Sequence, residues 1–456
     1  MSERLWLNRR AFLRGAGITA LAGAANSGPS LVTPARADSL DQAGSTNYDF
    51  DTVYDRVGSN SVKWDAAIDR YGRENIDVGM GIADMDFRAA PCITRGLAER
   101  CKHENWGYMS TPRSFYQQIA DWNKDRYGLE VDPESITLSD GVHPALIAAL
   151  NALAPAGSKV LLGTAVYSGF YGDLRWSRTI AENSPMIVEN GHYRMDFDDL
   201  ESRMSHDTDA MILCNPQNPT GNCWSEEDLL RLGRMCLEHR VVVLSDEIHC
   251  DFVMKGQKYT PFASLPDKEV VDNSVTFKAA SKTFSLAAMK IAWFFSTNPE
   301  YMELIRAQHR ANTNTLGVVA NQAALTDEGA DWLDQVNVYI DGNQDFAEQY
   351  IRENLPGVEY TKAEGTYLAW IDISGVAERL DAKRLAAEAT ANSETGRPVT
   401  AEAIVGNWFV DNAKVQLNAG SSYGPGGENH MRMNVATSRK ILKLALDNMA
   451  AALNDL

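Results

Sequence analysis

From about Pro91 to Gln322 the chain repeats one unit: a short apolar run ending in small or polar residues, then a stretch with helical spacing. The runs are "SITLSDGV", "KVLLGTAVY", "AMILCNPQNPTG", "VVVLSDE" and "SVTFKAASK". No other feature constrains the fold as much, because parallel strands need a long crossover and a helix is the usual one. "VVVLSDE" (241–247) is too uniformly apolar for a strand with one wet face and reads as covered on both. The expected class is α/β, with residues 91–322 forming a large domain around a mostly parallel sheet. After Gln322 the text changes to long helical segments, then "TYLAWIDI" (366–373), "KVQLNAG" and "HMRMNVA". That predicts a smaller α+β domain over 323–456, with 392–400 as a surface insertion. Residues 38–90 read as an N-terminal arm, polar and Gly/Ser-rich over 38–60, plus part of the small domain.

Ligands of open α/β sheets sit outside the carboxyl ends of the strands. Asp246 is delivered at such an end. Asn218, in "CNPQNPTGNCW", lies 28 residues before it, and Lys282 closes the "SVTFKAASK" run 36 residues after it. Singly, these are a loop carboxylate, a turn amide and a surface amine. Together they offer three chemically complementary groups at three strand ends.

In this arrangement the chain resembles the fold type I pyridoxal-phosphate enzymes, the class I/II aminotransferase superfamily, from about Val57 to the C-terminus. The resemblance implies pyridoxal 5′-phosphate as cofactor. Lys282 would form the imine with the cofactor aldehyde, since a buried lysine loses its proton readily. Asp246 would keep the pyridine nitrogen protonated, making the ring an electron sink. Asn218 would donate to the ring hydroxyl oxygen, with His249 assisting nearby. In "DGVHPAL" (140–146) the amides of Gly141, Val142 and His143 open a helix and can cradle the phosphate. Ser281 and Lys290 follow the family's phosphate-side positions, although Ala279 replaces a common hydroxyl and Lys290 a common arginine. Tyr167 would stack on the cofactor, and Arg432 would grip the substrate α-carboxylate. Tyr108 matches a tyrosine that reaches the neighbouring subunit's phosphate, which implies a homodimer with shared sites.

"GIADMDFRAAPCI", "SDEIHCDF", "GTYLAWIDI" and "GSSYGPGGENHMRMNVA" are more similar to the cystathionine β-lyase-like C–S lyases (MalY/PatB type) than to aspartate aminotransferases. Ala83 would lie at the substrate mouth and Tyr423 on the opposite wall. The resemblance therefore implies a C–S β-lyase acting on cysteine-type amino acids, giving pyruvate, ammonia and a thiol. The alternatives are amino-group transfer to a 2-oxo acid, other chemistry of the same cofactor such as racemisation, and a regulatory cofactor-binding protein.

The net charge of −18 argues against nucleic acid or anionic membranes as partners. No CxxC or paired-His spacing marks a metal site, so none is expected, and the six cysteines read as thiols. No run after the N-terminus is long and apolar enough to span a bilayer. Residues 1–37 carry Arg9 and Arg10, then Phe12 and Leu13, a weakly apolar segment, and Ala35-Arg36-Ala37. That order predicts a twin-arginine export signal cleaved before Asp38, and hence a periplasmic protein. Its removal takes away five arginines and Glu3, leaving a net charge near −22.

Overall fold

The computed structural model describes residues 47–393 and 396–456. The arginine pair, the apolar segment, the expected cleavage site and residues 38–46 lie outside the described residues. Residues 47–60 carry no helix or strand. They are nevertheless tied down, because Phe50 is buried and its ring meets Phe87, Trp332 and Tyr339 at centroid distances of 5.2, 5.7 and 5.7 Å.

Seven strands form the central sheet: β1 (Thr137–Ser139), β2 (Lys159–Thr164), β3 (Ile180–Pro185), β4 (Thr208–Cys214), β5 (Val242–Asp246), β6 (Ser274–Lys278) and β7 (Ala292–Phe295). Their spatial order is β1-β7-β6-β5-β4-β2-β3, and only β7 runs antiparallel to its neighbours. The sheet is the mostly parallel α/β sheet that the sequence rhythm predicts. Period-two side chains explain the dense apolar runs. Val160, Leu162, Ala210, Ile212, Val242 and Leu244 pack into one core, and Leu161, Met211, Leu213 and Val243 into another on the opposite face. A strand buried on both faces has no polar side to alternate with. All five residues of β5 are buried, Asp246 included.

Two strands escape the sequence pattern. β3, "IAENSP", is an edge strand with one neighbour and a single buried residue, so it needs no apolar run. β7, "AWFF", is short and antiparallel, outside the βαβ rhythm. Lys282 also needs a correction. Its strand ends at Lys278, and Lys282 sits in the single helical turn Ala280–Thr283 that follows. The helices carry their own start signals. In Glu226–Glu238, for example, Ser225 accepts from the Asp228 amide at 3.0 Å and three acidic residues fill the first turn.

Beyond the sheet, β8 (Leu368–Asp372), β9 (Asn418–Ala419) and β10 (His430–Asn434) form an antiparallel sheet with β10 in the centre. Arg432 faces Trp370 on one side and Asn418 on the other. Helices Asp327–Asn354 and Arg439–Asp455 pack here, and Trp64, Val78 and Met80 from the N-terminal segment join the same core. The 392–400 segment runs between helices Ala382–Ala391 and Ala401–Ala413, with Glu394 and Thr395 outside the described residues. Among the described residues no helix is long and apolar enough to cross a membrane.

Candidate active site

A cavity of about 350 Å³ opens at the carboxyl ends of the central strands, between the sheet and β10. Neighbouring strands supply its floor. Asp246 ends β5 and pairs in register with Cys214 of β4 and Phe277 of β6. Asn218 and Lys282 follow β4 and β6, so the three groups spaced along the sequence become neighbours at one sheet edge.

Asp246 is 4% exposed, and its carboxylate accepts only from the Ile248 amide at 3.1 Å. Among the described residues it makes no ion pair. Burial pushes its carboxyl up to about 7. Such a group fits a cationic ligand placed against it. Lys282 shows the converse perturbation: burial, then the charge of Arg432, lower its ammonium to about 8. Its Nζ donates to the Ala83 carbonyl at 3.0 Å. The His249 imidazole is buried, its Nδ1 lacks a partner, and burial with the nearby cations Lys282 and Arg432 holds it well below its usual value, hence neutral.

Arg432 is 3% exposed and held on three sides. One terminal nitrogen donates to Asn218 Oδ1 at 3.0 Å, the other to the Gly81 carbonyl at 2.8 Å, and the Tyr423 ring lies 5.2 Å away. Its Nε is buried without a partner. An orphaned guanidinium N–H at a cavity wall is a ready donor for a carboxylate. Because the Asn218 oxygen is engaged by Arg432, its amide NH₂ remains for the cavity. Asn218 thereby links the expected cofactor subsite to the expected substrate subsite.

The helix Val142–Leu153 begins at the cavity with Gly141 as its N-cap, so the first-turn amides lack intrahelical acceptors. Ser281 and Lys290 line the same end. Tyr167 lines the side wall, with its ring 5.5 Å from Phe170 and 5.6 Å from His143. Gly424 follows Tyr423, which lines the cavity. Its φ is +87°, and a Cβ there would meet the Tyr171 hydroxyl at 1.9 Å, so only glycine fits. Tyr108 is not at this cavity. It is fully exposed on its own chain, between helices Pro91–Cys101 and Arg113–Tyr127.

Sequence reasoning missed the carbonyls that hold the cations. Residues 81–86 form a backbone strap, of which Ile82 and Ala83 line the cavity. Asn418 bonds Gly81 O at 2.8 Å, Asn434 bonds Ile82 O at 2.6 Å and Asp84 O at 2.8 Å, and Tyr367 bonds Ala83 O at 3.1 Å. Asp86 anchors the end, paired with Lys63 at 2.6 Å and accepting from the Trp64 indole at 2.9 Å. Nothing in the sequence signals a main-chain acceptor. The one visible cue was "ADMDF", whose two carboxylates face Arg56 and Lys63.

A buried carboxylate without a cation, a lysine of lowered basicity, a helix N-terminus and an orphaned arginine are the donor set that pyridoxal phosphate and an amino acid require. The chain belongs to the class I and II aminotransferase family, which matches residues 76–448. Among curated proteins it is similar to cystathionine β-lyase PatB of Bacillus subtilis, 36% identical over 380 residues, covering 82% of this chain and 92% of that protein. Among solved structures it is similar to the PLP-bound C–S lyase of Staphylococcus hominis (30% identity, TM-score 0.80, covering 90% of this chain and 98% of that one). Cystalysin of Treponema denticola, which contains pyridoxal 5′-phosphate, matches at 26% identity and TM-score 0.80, covering 90% of this chain and all of that one.

Proposed function

We propose that this chain is a pyridoxal-phosphate-dependent C–S β-lyase that splits S-substituted cysteines into a thiol, pyruvate and ammonia. The observation that carries the reading is the convergence of Asp246, Lys282 and Arg432 on one cavity, in a chain 36% identical to PatB over 380 residues. When bound, the cofactor supplies an aldehyde that links to amines and a ring that takes up the electron pair of the α-carbon. Asp246 holds the ring nitrogen as a cation, and that pairing offsets the cost of burying the carboxylate. Asn218 would offer its NH₂ to the ring oxygen, beside the neutral His249. The amides of Gly141, Val142 and His143, with Ser281 and Lys290, would hold the phosphate. Arg432 orients the substrate carboxylate through Nε–H and its remaining N–H groups. Lys282, near 8, has an accessible free-amine form and accepts the α-proton, directed by the Ala83 carbonyl.

The family also contains aminotransferases, so the second reading is transfer of the amino group to a 2-oxo acid. Cofactor-loaded protein incubated with S-substituted cysteines should release pyruvate and thiol. Glutamate formed from amino acids plus 2-oxoglutarate, without pyruvate, would establish transfer instead. Turnover of neither would favour a binding role.

Two further readings belong to the proposal. The chain works as a homodimer, with the fully exposed Tyr108 serving the neighbouring subunit's phosphate. Residues 1–37 act as a twin-arginine export signal that places the folded, loaded enzyme in the periplasm. That reading is supported by the order of Arg9-Arg10, apolar segment and Ala35-Arg36-Ala37.

A further inference from the structure

The side chain of His143 takes part in a second arrangement, separate from the amide at the helix start. Its Nδ1 lies 2.7 and 2.9 Å from the two carboxylate oxygens of Asp173, in helix Gly169–Ser177, and its Nε2 lies 3.4 Å from the Tyr167 hydroxyl. Asp173 is 3% exposed, whereas the imidazole faces the cavity. The chain makes room for this grouping. A Cβ at Gly169 would sit 2.5 Å from Tyr167 and 2.6 Å from His143, so any larger residue would push the rings apart. The hydrogen bond from Asp173 raises the imidazole above its usual value, against burial; Asp246 reinforces this and Lys282 opposes it. The charged or titratable groups facing His143 are therefore Asp173, Tyr167, Asp246 and Lys282.

We propose that Asp173 and His143 are positioning residues for Tyr167, holding its hydroxyl as the proton donor to the sulfur that leaves the β-carbon. The inference rests on the C–S lyase reading above. Lys282 takes the α-proton; the electron pair left at Cα then forms the new Cα–Cβ double bond as the C–S pair departs on sulfur. The sulfur takes the Tyr167 proton, and the tyrosine oxygen takes the Nε2 proton of the imidazolium, whose charge Asp173 offsets. Lys282 returns its proton to solvent, and His143 regains one from solvent through the cavity. Alkylthiolates are basic leaving groups that need this proton, whereas chloride does not. The donor limb is present while His143 is protonated and is lost as pH rises through its folded-state value.

The test measures kcat/KM of the cofactor-loaded enzyme for S-aryl and S-alkyl cysteines of graded thiol acidity, and for β-chloroalanine. Wild type is compared with His143→Gln and Asp173→Asn. Both substitutions should lower alkylthiol release about tenfold more than chloride release, steepening the dependence on leaving-group acidity. In ¹⁵N-histidine NMR, wild-type His143 should titrate above 6.5, and Asp173→Asn should lower that value and shift the basic limb of alkylthiol release with it. Equal loss for all leaving groups, or a basic limb unmoved by Asp173→Asn, overturns the proposal while leaving the lyase reading intact. Wild-type His143 titrating below 6.5 overturns it whether or not either variant folds. A wild-type enzyme that releases pyruvate from none of the series overturns both readings.

Discussion

Replacing Asp246 with Asn should stabilise the cofactor-free protein at alkaline pH and disable the loaded enzyme. Burial without an ion partner raises the folded-state carboxyl from 3.8 to about 7. Between those values the unfolded chain has lost its proton and the folded one retains it, so stability falls as pH rises. Each pH unit in that window costs about 1.4 kcal/mol, so from pH 5 to the folded-state value near 7 this one group removes about 3 kcal/mol. Above 7 no further loss accrues from it. An amide has no charged form and lacks this slope. The assay is urea denaturation of apoprotein at pH 5 and pH 8 for wild type and Asp246→Asn. Taking the difference between the proteins cancels the other titrating groups. The variant should be the more stable by about 3 kcal/mol at pH 8, relative to their difference at pH 5. Cofactor should reverse the order, because only the carboxylate gains a cation. Identical pH slopes in the two apoproteins would refute the claim that Asp246 is a buried carboxylate awaiting a charge.

Lys282→Ala should abolish turnover. In the wild type, borohydride reduction followed by peptide mapping should place the pyridoxyl group on Lys282, and a label on any other lysine would refute its assignment. Arg432→Ala should raise KM by on the order of a hundredfold, with a smaller loss of kcat, because it strands the substrate carboxylate; steady-state kinetics with both parameters unmoved would refute the grip. Lys63→Met removes one partner of a buried ion pair 2.6 Å long and should cost about 3–5 kcal/mol in chemical denaturation. A loss below about 1 kcal/mol would show that the strap is held without that pair. Twin lysines at positions 9 and 10 should retain the protein in the cytoplasm as an active enzyme, checked by fractionation and N-terminal sequencing. Wild-type protein found only in the cytoplasm with residues 1–37 attached would refute the export reading.

Much of the candidate site was legible in the sequence because its side chains stand at or just past strand ends, and strand ends are punctuated by composition. Asp246, Asn218 and Lys282 are separated by tens of residues, yet each ends or follows an apolar run; that β4, β5 and β6 lie side by side is decided by the sheet order. Helix-opening residues such as Gly141 are legible for the same reason: a backbone that must turn from strand to helix leaves its amides free. Sequence also determined the double-faced core, since a strand such as "VVVLS" can persist only with apolar layers above and below it.

Tertiary structure decided what depends on packing between distant segments. The strap at 81–86 holds Lys282 and Arg432 through main-chain carbonyls, which every residue possesses and no residue type announces. The partnership of His143 with Asp173 and Tyr167 requires two helices to meet at Gly169, a distance of contact that no local pattern encodes. The charge states of Asp246 and Lys282 belong to the same category. Residue type gives a carboxylate and an ammonium their ordinary values; only the surrounding fold removes the water and moves both towards neutrality.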